Sequence, residues 1–164
     1  MPIPKSLRPI DAQITTWMAK HGVTFARLAL GVVFLWFGAL KFFPGFSPAE
    51  QLAGRTIDRL TFGTITADLS LPILATWECL IGIGLLTGVA LRATLLLLFA
   101  QMLGTLLPLA MFPGDTFVIF PFVPTLEGQY IIKNVVLISA AIIVGATVRG
   151  GRLVAQPPTG KSAA

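Results

Sequence analysis

The chain has 164 residues, of which 55% are hydrophobic and 12% are charged, and its formal net charge is +5. Soluble domains carry about 25% charged residues, so this composition indicates a membrane protein with one compact domain. A single cysteine and a single histidine exclude an internal disulfide, a bis-histidine haem and a histidine-rich metal cluster. The basic residues flank apolar runs without interleaved aromatics, which excludes a nucleic-acid surface.

The first 22 residues predict an amphipathic helix that lies on the inner membrane surface. Ile10, Ile14 and Trp17 recur at helical spacing with polar residues opposite, and His21-Gly22 is expected to end this helix. The apolar run that follows is of full spanning length and has no clean small-residue cleavage site. The segment is therefore predicted to be retained.

Four later segments are each near the roughly 20 residues that a helix needs to cross a bilayer. They are residues 23–43, 69–91, 93–112 and 130–148. Pro108 is expected to kink or end the third of them. The predicted fold class is all-α, an integral membrane four-helix bundle with short amphipathic surface helices. Residues 149–164 are predicted to form a disordered tail.

The connections between the spans differ in length. The second and third spans are predicted to meet in a tight hairpin at Arg92. Ser47 and Glu50 have the spacing of a capping box, which predicts a short surface helix in the first long loop. The second long loop, residues 113–128, is apolar and rich in proline, so it is expected to pack over the outer mouth of the bundle.

The distribution of basic residues predicts the orientation. Most of the 12 lysines and arginines fall on the inner side when both termini are cytoplasmic. The predicted location is therefore a bacterial-type cytoplasmic (inner) membrane, crossed several times.

Glu78 is the only charged residue in the second span. A carboxylate in hydrocarbon is costly, so it usually faces the protein interior and has a partner or a function. Lys41 and Lys133 lie in other spans and are the candidate partners, Lys133 being the deeper and the better placed of the two. We expect a polar pocket that opens toward the outer face and contains no metal. Its predicted lining is Lys41, Glu78, Gln101, Lys133 and Asn134, with Trp36, Trp77 and Tyr130 as walls.

Structural interpretations of the same residues stand beside this one. Glu78 could be a partner that fixes helix register, with no ligand involved. Gln101 and Asn134 could serve only as interhelical hydrogen bonds, worth about 1 kcal/mol each. Trp36 and Trp77 could simply be packing residues or interfacial anchors.

Three stretches resemble the DoxX/DoxD-like family of small membrane proteins. They are RLALGVVFLWFGALKF at Arg27–Phe42, WECLIGIGLLTG at Trp77–Gly88 and GQYIIKNVVLISAA at Gly128–Ala141. The resemblance implies a four-helix membrane bundle. It further implies either a subunit of a thiosulfate:quinone oxidoreductase or a protein of the oxidative-stress response that partners soluble redox enzymes.

By the same resemblance, Lys41, Glu78 and Lys133-Asn134 occupy the motif positions of the family. The glycine-rich family ending is matched only in part by Arg149–Arg152, which leaves the subfamily open.

Three functions follow as hypotheses. In the first, the pocket holds a quinone, Glu78 or a lysine manages its protons, and a soluble or membrane redox partner supplies electrons. The chain is then at most a subunit of an oxidoreductase without a cofactor of its own, and whether it is an enzyme stays open. The second is a small-solute or anion carrier, for which four helices without an inverted repeat are few unless the chain is a homo-oligomer. The third is a structural or assembly protein. All three share the lipid bilayer as partner.

Overall fold

The computed structural model describes residues 7–43, 45–47 and 50–155. Within that part, four helices are long and apolar enough to cross a membrane. The elements in chain order are α1 Arg8–Leu40, α2 Glu50–Leu60, α3 Ala67–Thr87, α4 Leu91–Leu106, α5 Pro108–Met111, α6 Pro113–Thr116, β1 Phe117–Ile119, β2 Val123–Pro124 and α7 Leu126–Ala146. The protein is thus an all-α, multi-pass membrane bundle, which confirms the predicted fold class.

The four spanning helices form a ring in which α1 packs on α3, α3 on α4, α4 on α7 and α7 on α1. Neighbours in this ring run in opposite directions. The turn between α3 and α4, residues 88–90, marks what we call the short-loop end of the bundle. The opposite end carries α2, α5, α6 and the β1–β2 hairpin, and we call it the long-loop end.

Glycines bring α1 and α3 into close contact. A Cβ atom placed on Gly82 of α3 would lie 2.5 Å from the backbone nitrogen of Leu35, and one on Gly38 of α1 would lie 2.8 Å from the Cβ of Glu78. Neither distance is physically allowed for a real side chain, so these positions require glycine. Small residues at such crossings let backbones approach where lipid offers no hydrophobic drive for helix association.

The apolar core occupies the half of the bundle between Glu78 and the short-loop end. All four spanning helices contribute to it, and its most enclosed members have no exposed surface at all. The buried core residues are Leu30, Phe34, Ile81, Leu85, Leu95, Leu98, Met102, Ala141 and Val144. This packing separates the polar groups near the middle of the membrane from those at the short-loop end.

The first helix corrects one prediction. α1 runs without interruption for 33 residues through His21 and Gly22, where a break was expected. A glycine in a helix interior costs only about 1 kcal/mol relative to alanine, which a long helix tolerates. At 1.5 Å per residue α1 is roughly 50 Å long, more than the hydrocarbon layer is thick. The apolar stripe before Gly22 is exposed, with Trp17 at 55%, and its placement on the inner surface stays a prediction.

The turn at the short-loop end also differs from the expected hairpin at Arg92. α3 ends at Thr87, and Gly88 follows in the left-handed conformation with φ of 74° while its N–H bonds the carbonyl of Gly84 at 2.9 Å. This is a common helix ending, and glycine adopts it without strain. Arg92 therefore lies in the first turn of α4.

The long loops also show differences. The first contains α2, which begins at Glu50, and there the Glu50 carboxylate accepts a hydrogen bond from the N–H of Gly45 at 2.9 Å rather than from Ser47, as a capping box would have it. The second folds into the β1–β2 hairpin. Val118, Phe120 and Phe122 are 70%, 65% and 82% exposed, so the hairpin does not bury its apolar side chains over the bundle as expected. Most of the predicted disordered tail, residues 156–164, lies outside the described part of the chain.

Candidate functional site

Glu78 lies midway along α3 and joins three helices. Its residue surface is only 7% exposed. One carboxylate oxygen, Oε2, pairs with Lys41 Nζ at 2.6 Å, and the other, Oε1, accepts a hydrogen bond from Gln101 Nε2 at 2.6 Å. We call Lys41, Glu78 and Gln101 the polar cluster. Because its members come from the end of α1, from α3 and from α4, the cluster couples the packing of these helices.

Lys41 reaches Glu78 from the end of α1. Cα–Cβ bonds of a helix tilt toward its N-terminus, so a side chain at the last turn of α1 is directed back into the bundle. The ammonium of Lys41 also donates to the carbonyl of Phe37 at 3.4 Å, and the side chain is 12% exposed. Gly38 leaves the space that Glu78 fills beside α1. The pair is therefore largely enclosed by protein.

Gln101 brings an unused hydrogen-bond acceptor to the cluster. The residue is 7% exposed, and its Oε1 has no partner within the described part of the chain. The amide nitrogen of Gln101, and not its oxygen, faces Glu78, because the reverse orientation would set the amide oxygen against an ionised carboxylate oxygen. An unsatisfied buried acceptor costs about 1–3 kcal/mol. The cluster thus has one position that a donor from a ligand could fill.

Asn134 extends the line of polar groups toward the long-loop end. Its Nδ2 donates to Thr105 Oγ1 at 3.4 Å, which links α7 to α4. Thr105 lies one helical turn beyond Gln101 on α4. Asn134 is half-buried and its side-chain amide bonds Thr105 rather than Glu78, so it borders the cluster without belonging to it.

Lys133 does not meet Glu78. It is exposed, and its Nζ lies 5.4 Å from the centroid of the Tyr130 ring, which is itself 54% exposed. Adjacent helix residues are about 100° apart around the axis, so Asn134 can face the bundle while Lys133 faces away. Lys41, for which its depth predicts the weaker position of the two lysines, is the partner of Glu78.

The tryptophans lie on the outside of the bundle. Trp36 is 65% exposed, which does not suit a pocket wall. Trp77 is 37% exposed and donates its indole N–H to the carbonyl of Leu97 at 3.1 Å. Trp77 therefore fastens α3 to α4 close to the polar cluster.

Three further features of the structure have only a weak signal in the sequence. Arg27 donates to the carbonyls of Leu85 and Leu86 and so caps the end of α3. Two cavities lie at the short-loop end, on the far side of the apolar core from Glu78. Among the described residues no three His, Cys, Asp or Glu side chains come close enough together to hold a metal ion.

Comparison with known proteins places the chain in a family. The model of the DoxX family matches residues 22–111. The match covers more than half of the chain and contains all three residues of the polar cluster. No curated protein and no solved structure matches the chain. The protein belongs to the DoxX family.

Proposed function

We propose that this DoxX-family protein is a membrane subunit of a quinone-linked redox or oxidative-stress system, and that the polar cluster binds the quinone headgroup. The observation that carries the proposal is the unpartnered Oε1 of Gln101 beside a buried, ion-paired carboxylate. A purely structural amide would be expected to use its acceptor, because buried polar groups are nearly always hydrogen-bonded.

The donors and acceptors of the cluster suit both redox forms of such a ligand. Gln101 Oε1 can accept a hydrogen bond from a quinol hydroxyl. Lys41 has three N–H donors, of which two are directed at Glu78 and Phe37. The third can donate to a quinone carbonyl oxygen. One binding position therefore serves both forms.

Glu78 supplies the proton chemistry of the proposal. Reduction of a quinone to a quinol takes two electrons and two protons, and oxidation releases them. When Lys41 moves toward water, Glu78 takes up a proton from water and gives it to one ligand oxygen, and a second proton taken up in the same way goes to the other oxygen. A carboxyl group within hydrogen-bond reach of its target is the usual general acid or base. Both electrons come from a redox partner that carries a flavin or a metal centre.

Access to the cluster depends on Lys41. Glu78 is covered by the lysine side chain, which begins at the last turn of α1 near the long-loop end. Long basic side chains at helix ends can extend to the membrane surface. When Lys41 swings toward the long-loop end, it uncovers Glu78 and Gln101 together. The ligand then enters from that half of the membrane.

The proposal includes the orientation of the chain. Lys20, Arg27, Arg92 and Arg149 all belong to the short-loop end, whereas Asp68 and most other acids belong to the long-loop end. Basic residues are in excess on the cytoplasmic side of membrane proteins. The short-loop end and both termini are therefore placed in the cytoplasm of a bacterial-type cell, with the protein in the inner membrane.

The two other functions fit the cluster less well. An anion carrier needs an excess of positive charge at its site, but the one lysine of the cluster is neutralised by Glu78 while Lys133 points away. A structural role explains the ion pair but leaves Gln101 Oε1 without a purpose.

Native mass spectrometry of the full chain, extracted in mild detergent, tests the proposal. The wild type should retain a quinone, and Lys41→Gln and Glu78→Gln should lose it. The matched control is Lys133→Gln, which removes the same charge from an exposed position and should retain the quinone. Thermal unfolding of each variant identifies those that remain folded. A wild type without quinone, or equal retention by all folded variants, contradicts the proposal.

A further inference from the structure

A cavity of about 690 Å³ lies at the short-loop end, between the first turns of α4, the last residues of α7 and one face of α1. Arg27 and Arg92 both line it, together with Thr24 and Gly88. A neighbouring cavity of about 480 Å³ shares Arg92 and adds Arg149. Arg27 of α1 and Arg92 of α4 thus line the first cavity, and Arg149, just beyond the end of α7, lines the second.

Among the residues that the structure describes, no acidic side chain balances these arginines. Neither cavity is lined by Asp or Glu. Over the described ranges, no ion pair joins Arg27, Arg92 or Arg149 to a carboxylate. The nearest acid along α1 is Asp11, which lies about 24 Å from Arg27 along the helix axis at 1.5 Å per residue. The cavity is therefore an uncompensated positive site.

Arg27 is held in place at this site. Its Nη1 donates to the carbonyls of Leu85 and Leu86, and the Leu86 bond is 3.1 Å long. A guanidinium has five N–H donors, so Nη2 and Nε remain for another partner. The guanidinium lies beside the turn, where a Cβ placed on Gly88 would be in ordinary contact with Nη1 at 3.4 Å. Arg27 is thus oriented before any ligand binds.

The start of α4 contributes backbone N–H donors, whose partial charge is positive like that of the arginines. Arg92 and Ala93, whose backbone N–H groups lack partners within the helix, line the cavity. No side chain caps this helix start. The partial positive charge of a helix N-terminus favours an anion and adds to the charge of the arginines.

We propose that this cavity binds a phosphate group, either that of an anionic phospholipid headgroup or a free phosphate ester. Arginines recognise phosphate oxygens with paired N–H donors. The ends of the spanning helices lie at the depth of lipid headgroups, and basic pockets between helices on the cytoplasmic side are typical sites for them. Leu96 and Phe99 line the neighbouring cavity and offer an apolar path for an acyl chain.

Titration of the full chain in detergent with defined probes, read by native mass spectrometry, tests this proposal. The probes are phosphatidylglycerol, phosphatidylcholine and free glycerol 3-phosphate. The test variant is Arg92→Gln, since Arg92 is exposed and its loss leaves the core unchanged. The matched control is Arg152→Gln, which removes one exposed arginine close in sequence to the same end without lining either cavity.

Phosphatidylglycerol should bind the wild type more tightly than phosphatidylcholine. Arg92→Gln should weaken phosphatidylglycerol binding about tenfold, the size of one charge-assisted hydrogen bond, and Arg152→Gln should change it less than about twofold. If glycerol 3-phosphate binds with the same dependence on Arg92 and displaces the lipid, the natural ligand is a soluble phosphate ester. The proposal is overturned if neither of the two probes with a net negative charge, phosphatidylglycerol and glycerol 3-phosphate, binds better than phosphatidylcholine, whose phosphate is balanced by its own choline cation. It is equally overturned if Arg152→Gln weakens binding as much as Arg92→Gln.

Discussion

Loss of Lys41 should destabilise the protein far more than loss of the whole ion pair. In Lys41→Met the carboxylate of Glu78 stays buried, and Gln101 is its one remaining partner. Adding Glu78→Gln removes the unpaired charge but keeps an acceptor for Gln101. The second substitution should therefore rescue the first.

The magnitudes follow from the 2.6 Å distance between Nζ and Oε2. At an effective dielectric constant near 20, two charges at this distance attract by about 6 kcal/mol. Removing both ions from water costs several kcal/mol each, so the pair contributes little net stability. Breaking a buried pair from one side costs about 3–5 kcal/mol because the other charge is left uncompensated. The double variant should cost about 1 kcal/mol, the value of one hydrogen bond.

Reversible unfolding in mixed detergent micelles measures these differences in the free energy of unfolding. Lys133→Met is the control, and it should change that free energy by less than about 0.5 kcal/mol because Lys133 is exposed. Additive costs for Lys41→Met and Glu78→Gln would show that the two side chains do not interact, and would refute this geometry.

Three further predictions concern packing, the short-loop turn and topology. Gly82→Ala should lower the free energy of unfolding by about 1–3 kcal/mol because the new methyl group meets the backbone of α1. Gly104 has open space around it, so Gly104→Ala should be neutral or stabilising by less than about 1 kcal/mol in the same unfolding assay. Gly88→Ala should cost about 1 kcal/mol from its left-handed φ of 74°, and an unchanged midpoint of thermal unfolding would count against that conformation. The proposed orientation can be tested with single cysteines in a cysteine-free background. Phe62→Cys should react with an impermeant maleimide added outside intact cells, and Arg92→Cys should react only after lysis. The reverse pattern would invert the proposed orientation.

The fold was predictable because its signals are local. Hydrophobic runs of spanning length reveal the four helices, and Pro108 marks the end of α4. The continuity of α1 was not predictable from His21-Gly22, since a weak helix breaker is overridden when the helix is long and free of competing turn residues. The turn at Gly88 was missed because Gly82 and Gly84 in the same apolar run stay helical, so a glycine alone does not mark where the backbone becomes left-handed.

The site was predictable in its central residue but not in its partners. Glu78 stands out because a charge in a spanning helix needs an explanation. The choice between Lys41 and Lys133 depends on the rotation of each helix about its axis, and α7 is apolar on nearly every side, so its sequence does not reveal that rotation. The arginine cavity was missed for a different reason. The positive-inside pattern already accounts for basic residues at helix ends, and only the packed helices show that Arg27 and Arg92 face the same space.

Photolabelling of the full chain in lipid nanodiscs with an azido-quinone, followed by peptide mapping, tests the central claim most directly. We expect saturable labelling of α3 and α4 around Glu78 and Gln101, which an excess of unmodified quinone prevents. Labelling should be lost in Glu78→Gln and kept in Lys133→Gln. Labelling confined to the short-loop end, or labelling that excess quinone does not reduce, would contradict the claim that the polar cluster binds a quinone.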